Sequence, residues 1–64
     1  MNEQKFQVGQ KVRVTVKWGV VVGVISAAGI NPYTSRMEYM IDYTKNGKPF
    51  TLIYIPEELI ELDI

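Results

Sequence analysis

The sequence predicts an all-β domain: five short strands curled into a small barrel, with a single 3-10 turn before the last of them. Three observations carry this. Residues 11–17 alternate strictly between polar and apolar side chains. The pair Asn46-Gly47 sits between two apolar runs. Finally, Pro56-Glu57-Glu58-Leu59 opens a turn directly ahead of a closing apolar segment, Ile60-Glu61-Leu62. The chain has 64 residues, 47% of them apolar, with seven basic and seven acidic side chains and neither Cys nor His. That length holds one domain, spanning 1–64.

The first strand, 11–17, places Val12, Val14 and Val16 on one face and Lys11, Arg13, Thr15 and Lys17 on the other; a period of two is the mark of a half-buried strand. Trp18-Gly19 permits a reversal into a second strand over 20–26, which is apolar on both faces. Val20, Val22 and Val24 share one side, and Val21 and Ile25 share the other with Gly23. A glycine inside a strand points to a bulge or a bend. Residues 27–36 read as a long irregular loop around the turn signal Asn31-Pro32. Alternation resumes over 37–44, with Met37, Tyr39, Ile41 and Tyr43 on one face, the core side. Asn and Gly both tolerate positive φ, so Asn46-Gly47 predicts a type I′ hairpin joining the third strand to a fourth at about 49–55. In that strand Phe50, Leu52 and Tyr54 face one way and Thr51, Ile53 and Ile55 the other. Pro56 suits the start of a helical turn and two acids follow it where a helix N-terminus favours them. With so little chain left, this is a single 3-10 turn.

Composition excludes several functions. Without Cys there is neither a disulfide nor a thiol nucleophile, and without His the commonest general base and metal ligand is missing. Neither a metal nor a cofactor is expected. Glu38 and Asp42 lie roughly 13 Å apart along one strand face (about 3.3 Å per residue), too far for a paired-carboxylate hydrolase. No glycine-rich phosphate loop or nucleophile elbow is present, so an enzyme is not expected. The most apolar stretch, 19–30, is far short of the roughly 20 residues of a membrane span, and no signal peptide is visible; the expectation is a cytoplasmic protein. Zero net charge argues against loose, salt-driven binding to nucleic acid or membrane. The basic start and the acidic last eight residues are expected to lie side by side and pair as neighbouring strands.

The order strand, strand, long loop, strand, tight turn, strand, 3-10 turn, strand resembles the SH3-like small β-barrel. Within that architecture, Phe6-x-Val8-Gly9-x-x-Val12 and the glycine-containing second strand resemble bacterial Tudor-like, KOW-like and CarD-type modules of transcription and translation factors. Phe6-x-x-Gly9-x-x-Val12-Arg13 and Ile53-Tyr54 also resemble the plasmid-borne type II dihydrofolate reductase. That family places a pore-lining Gln before the Ile-Tyr pair, where this chain has Leu52. Leucine cannot make the amide hydrogen bonds that would hold a pterin, so the resemblance implies a shared fold rather than a shared activity.

A chain this short usually adds disulfides, a metal or a partner subunit, which here favours a protein partner, a second copy included. Strands apolar on both faces leave one set of side chains outside the core, and large exposed apolar patches mark interaction sites. The expected interface comprises Val21, Ile25, Ile53 and Ile55, with the aromatic residues Trp18, Tyr33 and Tyr54. The alternative is a nucleic-acid surface on the basic face Lys11, Arg13 and Lys17, touching phosphates beside an exposed aromatic ring.

Overall fold

The computed structural model describes residues 4–63. It contains β1 (Lys11–Val16), β2 (Gly19–Asn31), β3 (Arg36–Lys45), β4 (Lys48–Pro56), a 3-10 turn (Glu57–Leu59) and β5 (Ile60–Leu62). All five strands form one antiparallel sheet in the order β4-β3-β2-β1-β5. The fold is therefore all-β as expected; β4 and β5 are the edges of the sheet and no ladder joins them among the described residues, so the sheet is not closed into a barrel. No helix in the described residues is long and apolar enough to cross a membrane.

Each turn follows from its residues. Asn46 and Gly47 both take positive φ, 53° and 76°, as the type I′ geometry requires. At the other hairpin, Val16 pairs with Gly19, leaving Lys17 and Trp18 as a two-residue loop. The stretch 27–36, expected to be irregular, is mostly strand: β2 continues to Asn31 and β3 begins at Arg36. Ala27, Ala28 and Gly29 have weak strand preferences of their own, and pairing with β3 supplies what propensity does not. The Asn31 side chain closes the turn by accepting a hydrogen bond from the Tyr33 N–H at 2.9 Å.

Two irregularities flank β3 at one level. On β2, Ser26 is an extra residue between the pairs Ile25–Ile41 and Ala27–Met40. On β4, Ile53 and Tyr54 stand opposite Met40 alone, between Ile41–Leu52 and Tyr39–Ile55. A bulge increases local twist and re-aims side chains. Because of the second bulge, Leu52 and Ile55 both pack against the core, whereas strict alternation would put them on opposite faces.

The core is Phe6, Val12, Val14, Val21, Ile25, Tyr39, Ile41 and Ile60. Phe6 reaches it because Gly9 and Gln10 hydrogen-bond to both backbone groups of Ile25, and its ring meets Tyr39 edge-on at 5.7 Å and 76°. Gly23 is neither bulged nor in a turn; it pairs in register with Val12. Its role is close approach: a Cβ there would collide with the Asp42 carbonyl and lie 2.8 Å from Ile41 Cγ2.

Candidate functional site

An open groove of about 420 Å³ lies beside the two bulges. Ala27, Ala28 and Gly29 of β2 line it together with Met40 of β3, and Tyr33 and Tyr54 contribute from the hairpin tip and from β4. Tyr33 is 94% exposed and Tyr54 72% exposed, far more than rings placed for packing. Tyr54 takes a φ of 56°, a left-handed conformation that costs a residue with a Cβ roughly 1–2 kcal/mol. That conformation belongs to the β4 bulge.

One carboxylate belongs to the groove. Glu38 Oε1 accepts a hydrogen bond from Asn31 Nδ2 at 3.1 Å, while its other oxygen accepts none among the described residues. A half-buried carboxylate with a free lone-pair side, beside apolar surface, favours a cation.

The expected interface residues do not form one surface. Tyr33 and Tyr54 converge on the groove, and Ile53, 52% exposed, adjoins Tyr54. Ile55 is half-buried against the core. Val21 and Ile25 are corrections: both are buried, and the exposed apolar row of β2 is Val20, Val22 and Val24. Alternation separates the two faces of β2 but does not say which is outward. A two-residue loop pairs Val14 with Val21, and opposite residues share a face, so the inward valines of β1 dictate the inward set of β2. Trp18 is 65% exposed but stands in the β1–β2 loop, at the far end of β2 from Tyr33. Ile30 escapes the sequence reading as a groove residue because 27–36 reads as loop, and Glu38 and Met40 escape it because the bulges flanking β3 have no local signal.

The basic face divides as well. Arg13 pairs with Glu61 at 3.3 Å and with Asp63 at 3.7 Å, and Lys11 pairs with Asp63 at 3.6 Å. The basic start and the acidic end thus neutralise each other across β1 and β5. Lys17 forms no ion pair among the described residues. These contacts are solvated, and exposed pairs of this kind contribute about 0–1 kcal/mol. Arg13→Ala is expected to lower stability by no more than about 0.5 kcal/mol in urea unfolding.

Close to the groove, Tyr39 ties three segments together. Its hydroxyl accepts a hydrogen bond from the Phe6 N–H at 3.1 Å and donates one to Glu57 Oε2 at 2.6 Å. The Lys5 N–H donates to the same carboxylate oxygen at 2.9 Å. Burial, reinforced by the bond to Glu57, raises the Tyr39 phenol above its ordinary range. The Tyr39 hydroxyl, then the Lys5 N–H, hold the Glu57 carboxyl below its ordinary range.

No family model, curated protein or solved structure matches this chain.

Proposed function

We propose that this chain is a non-enzymatic interaction module, built on an SH3-like scaffold, that takes a segment of a partner protein into the groove between Tyr33 and Tyr54. The strand order, with β5 joining β1, and the 3-10 turn before β5 support the scaffold reading. Fold alone does not fix function. The observation that carries the function is Tyr54, a large aromatic held at positive φ, highly exposed and lining the groove. Backbone strain tolerated by a fold clusters at functional sites. A cytoplasmic setting agrees with the lack of Cys.

The occupant is an extended segment with apolar side chains and one Lys or Arg. The apolar groups cover Ala27, Ala28 and Met40, and the cation meets the free oxygen of Glu38. An acidic segment would bring like charge against Glu38 and against Glu57, which follows Pro56, the cross-strand partner of Glu38; Glu58 is already paired with Arg36 at 3.3 Å. Three other surfaces serve the function less well. The row Val20, Val22 and Val24 alone falls short of the roughly 800 Å² per partner of a standard interface. The nucleic-acid reading through Lys11, Arg13 and Lys17 loses two of its three free cations to Glu61 and Asp63. Leu52, where the type II reductases carry a pore-lining amide, is half-buried against the core.

The test is an NMR titration with synthetic peptides, each holding one Lys or Arg between apolar residues, against matched peptides holding Glu. Cationic peptides are expected to shift the amides of Ala28, Gly29, Met40 and Tyr54. Tyr54→Gly should abolish that binding yet leave stability unchanged or raise it by up to about 1 kcal/mol, since glycine accepts the positive φ. Glu38→Gln should weaken cationic peptides about tenfold, the scale of a charge-assisted bond. Peptides that bind elsewhere, or not at all, would reject the groove. Light scattering of the chain alone would show whether the occupant is a second copy.

A further inference from the structure

We propose a second site, at the opposite end of the sheet from the groove, for single-stranded nucleic acid. The residues aligned across the sheet as Lys11, Val24, Asp42 and Thr51 give a common level. From that level both the β1–β2 and the β3–β4 hairpins extend in the same direction. Their tips carry Lys17 and Trp18 on one side and Lys45, Asn46, Gly47 and Lys48 on the other. No acidic residue lies between Glu3 and Glu38, and none between Asp42 and Glu57. Among the described residues the charge is therefore polarised: the acids sit along β3, on the 3-10 turn, on β5 and just after it, and beyond the level of Asp42 this end holds only cations. None of Lys17, Lys45 and Lys48 makes an ion pair among the described residues.

A second observation is independent of that count. Lys45 and Lys48 are direct cross-strand partners, closing the hairpin. Like charges placed opposite each other destabilise a ladder, so this pair works against the fold that contains it. A bound anion would turn the repulsion into an attraction. Aromatic surface at the same end decides which anion. Trp18 is 65% exposed, and Tyr43 stacks on Phe50 at 5.5 Å and 22°, with Phe50 44% exposed. Open ring faces among lysines stack unpaired bases while the ammonium groups hold phosphates, a sequence-tolerant mode. An acidic peptide would engage the lysines but would gain nothing from a flat exposed indole.

Trp18 is the chain's only tryptophan, so its fluorescence reports the site directly. Titration with a short oligothymidylate at low salt is expected to quench it saturably, with a Kd on the order of 10⁻⁴ M. The logarithm of the association constant should fall against that of salt with a slope of about −2, roughly 0.7 for each of three phosphate contacts. Lys48→Glu should weaken binding about tenfold while raising the thermal midpoint by about 3 °C, because a repulsive cross-strand pair becomes attractive. Tyr54→Gly should leave oligonucleotide binding unchanged, which separates this site from the groove. Absent or salt-independent quenching would overturn the proposal. So would equal quenching by polyglutamate of matched charge, and so would retention of full affinity by a Lys17→Ala, Lys45→Ala, Lys48→Ala variant.

Discussion

Adding one methyl group at position 23 is expected to remove a large part of the domain's stability. A Cβ on Gly23 would strike the Asp42 carbonyl and come within 2.8 Å of Ile41 Cγ2 and 3.1 Å of Tyr43 Cβ. Two of these three atoms cannot rotate away: one is backbone and one is a Cβ. Relief requires β2 and β3 to separate at the point where β2 passes from pairing with β1 to pairing with β3. Overpacking a core costs about 1–3 kcal/mol and sometimes more, and here a ladder would be disturbed as well. A chain of this size has a stability of roughly 3–10 kcal/mol (about 0.05–0.15 per residue). Gly23→Ala is therefore expected to lose about 3 kcal/mol, and Gly23→Val to be largely unfolded in urea titrations followed by Trp18 fluorescence. Gly29, on the same strand, is the control. Nothing lies within 4 Å of its Cβ position and its φ is ordinary, so Gly29→Ala should be neutral or stabilising by about 0.5 kcal/mol. Equal costs at the two positions would refute close packing at Gly23.

That contrast also marks how far the sequence can be read. The elements were legible wherever local chemistry decides: alternation in β1, Asn46-Gly47 in the second hairpin, Pro56 and its acids in the 3-10 turn. Gly23 stood out as a special position, but its cause lies in β3, a strand that no local pattern brings over it. Sidedness failed on β2 for a related reason. With Val on both faces there is no polar residue to mark the outside, and only the register with β1 assigns Val21 and Ile25 to the core. The groove was hidden behind the bulges. Ser26 and the Ile53-Tyr54 pair each disturb the period of two, so the alternation that located the strands misplaced Leu52 against Ile55. The sequence did single out Tyr33 and Tyr54; that they share a groove with Glu38 is a consequence of tertiary structure.

Changing Tyr39 is expected to have the other large effect, and the substitutions separate packing from hydrogen bonding. Tyr39 is 1% exposed, and truncating a buried aromatic side chain to Ala costs about 3–5 kcal/mol, comparable with the whole stability of the domain. Tyr39→Phe keeps the ring against Phe6 but deletes the hydroxyl that joins the Phe6 N–H to Glu57. The lost bond to a charged acceptor and the orphaned buried N–H together should cost about 2–3 kcal/mol, or on the order of 10 °C in thermal midpoint. The pH dependence follows from the direction of each shift. Glu57 is held below its ordinary range, so its contribution is complete above that range and is lost as pH falls through the lower folded value. Tyr39 is held above its ordinary range, so the neutral phenol's contribution is complete below about pH 10 and is lost as pH rises through the folded value. Stability of the parent chain should therefore decline at both extremes. In Tyr39→Phe the alkaline limb from this group should vanish and the acid limb should shrink, because Glu57 retains only the Lys5 N–H. If denaturation profiles of the two proteins ran parallel from acid to alkali, Tyr39 would be a packing residue and its hydroxyl would not hold the amino-terminal segment to the 3-10 turn.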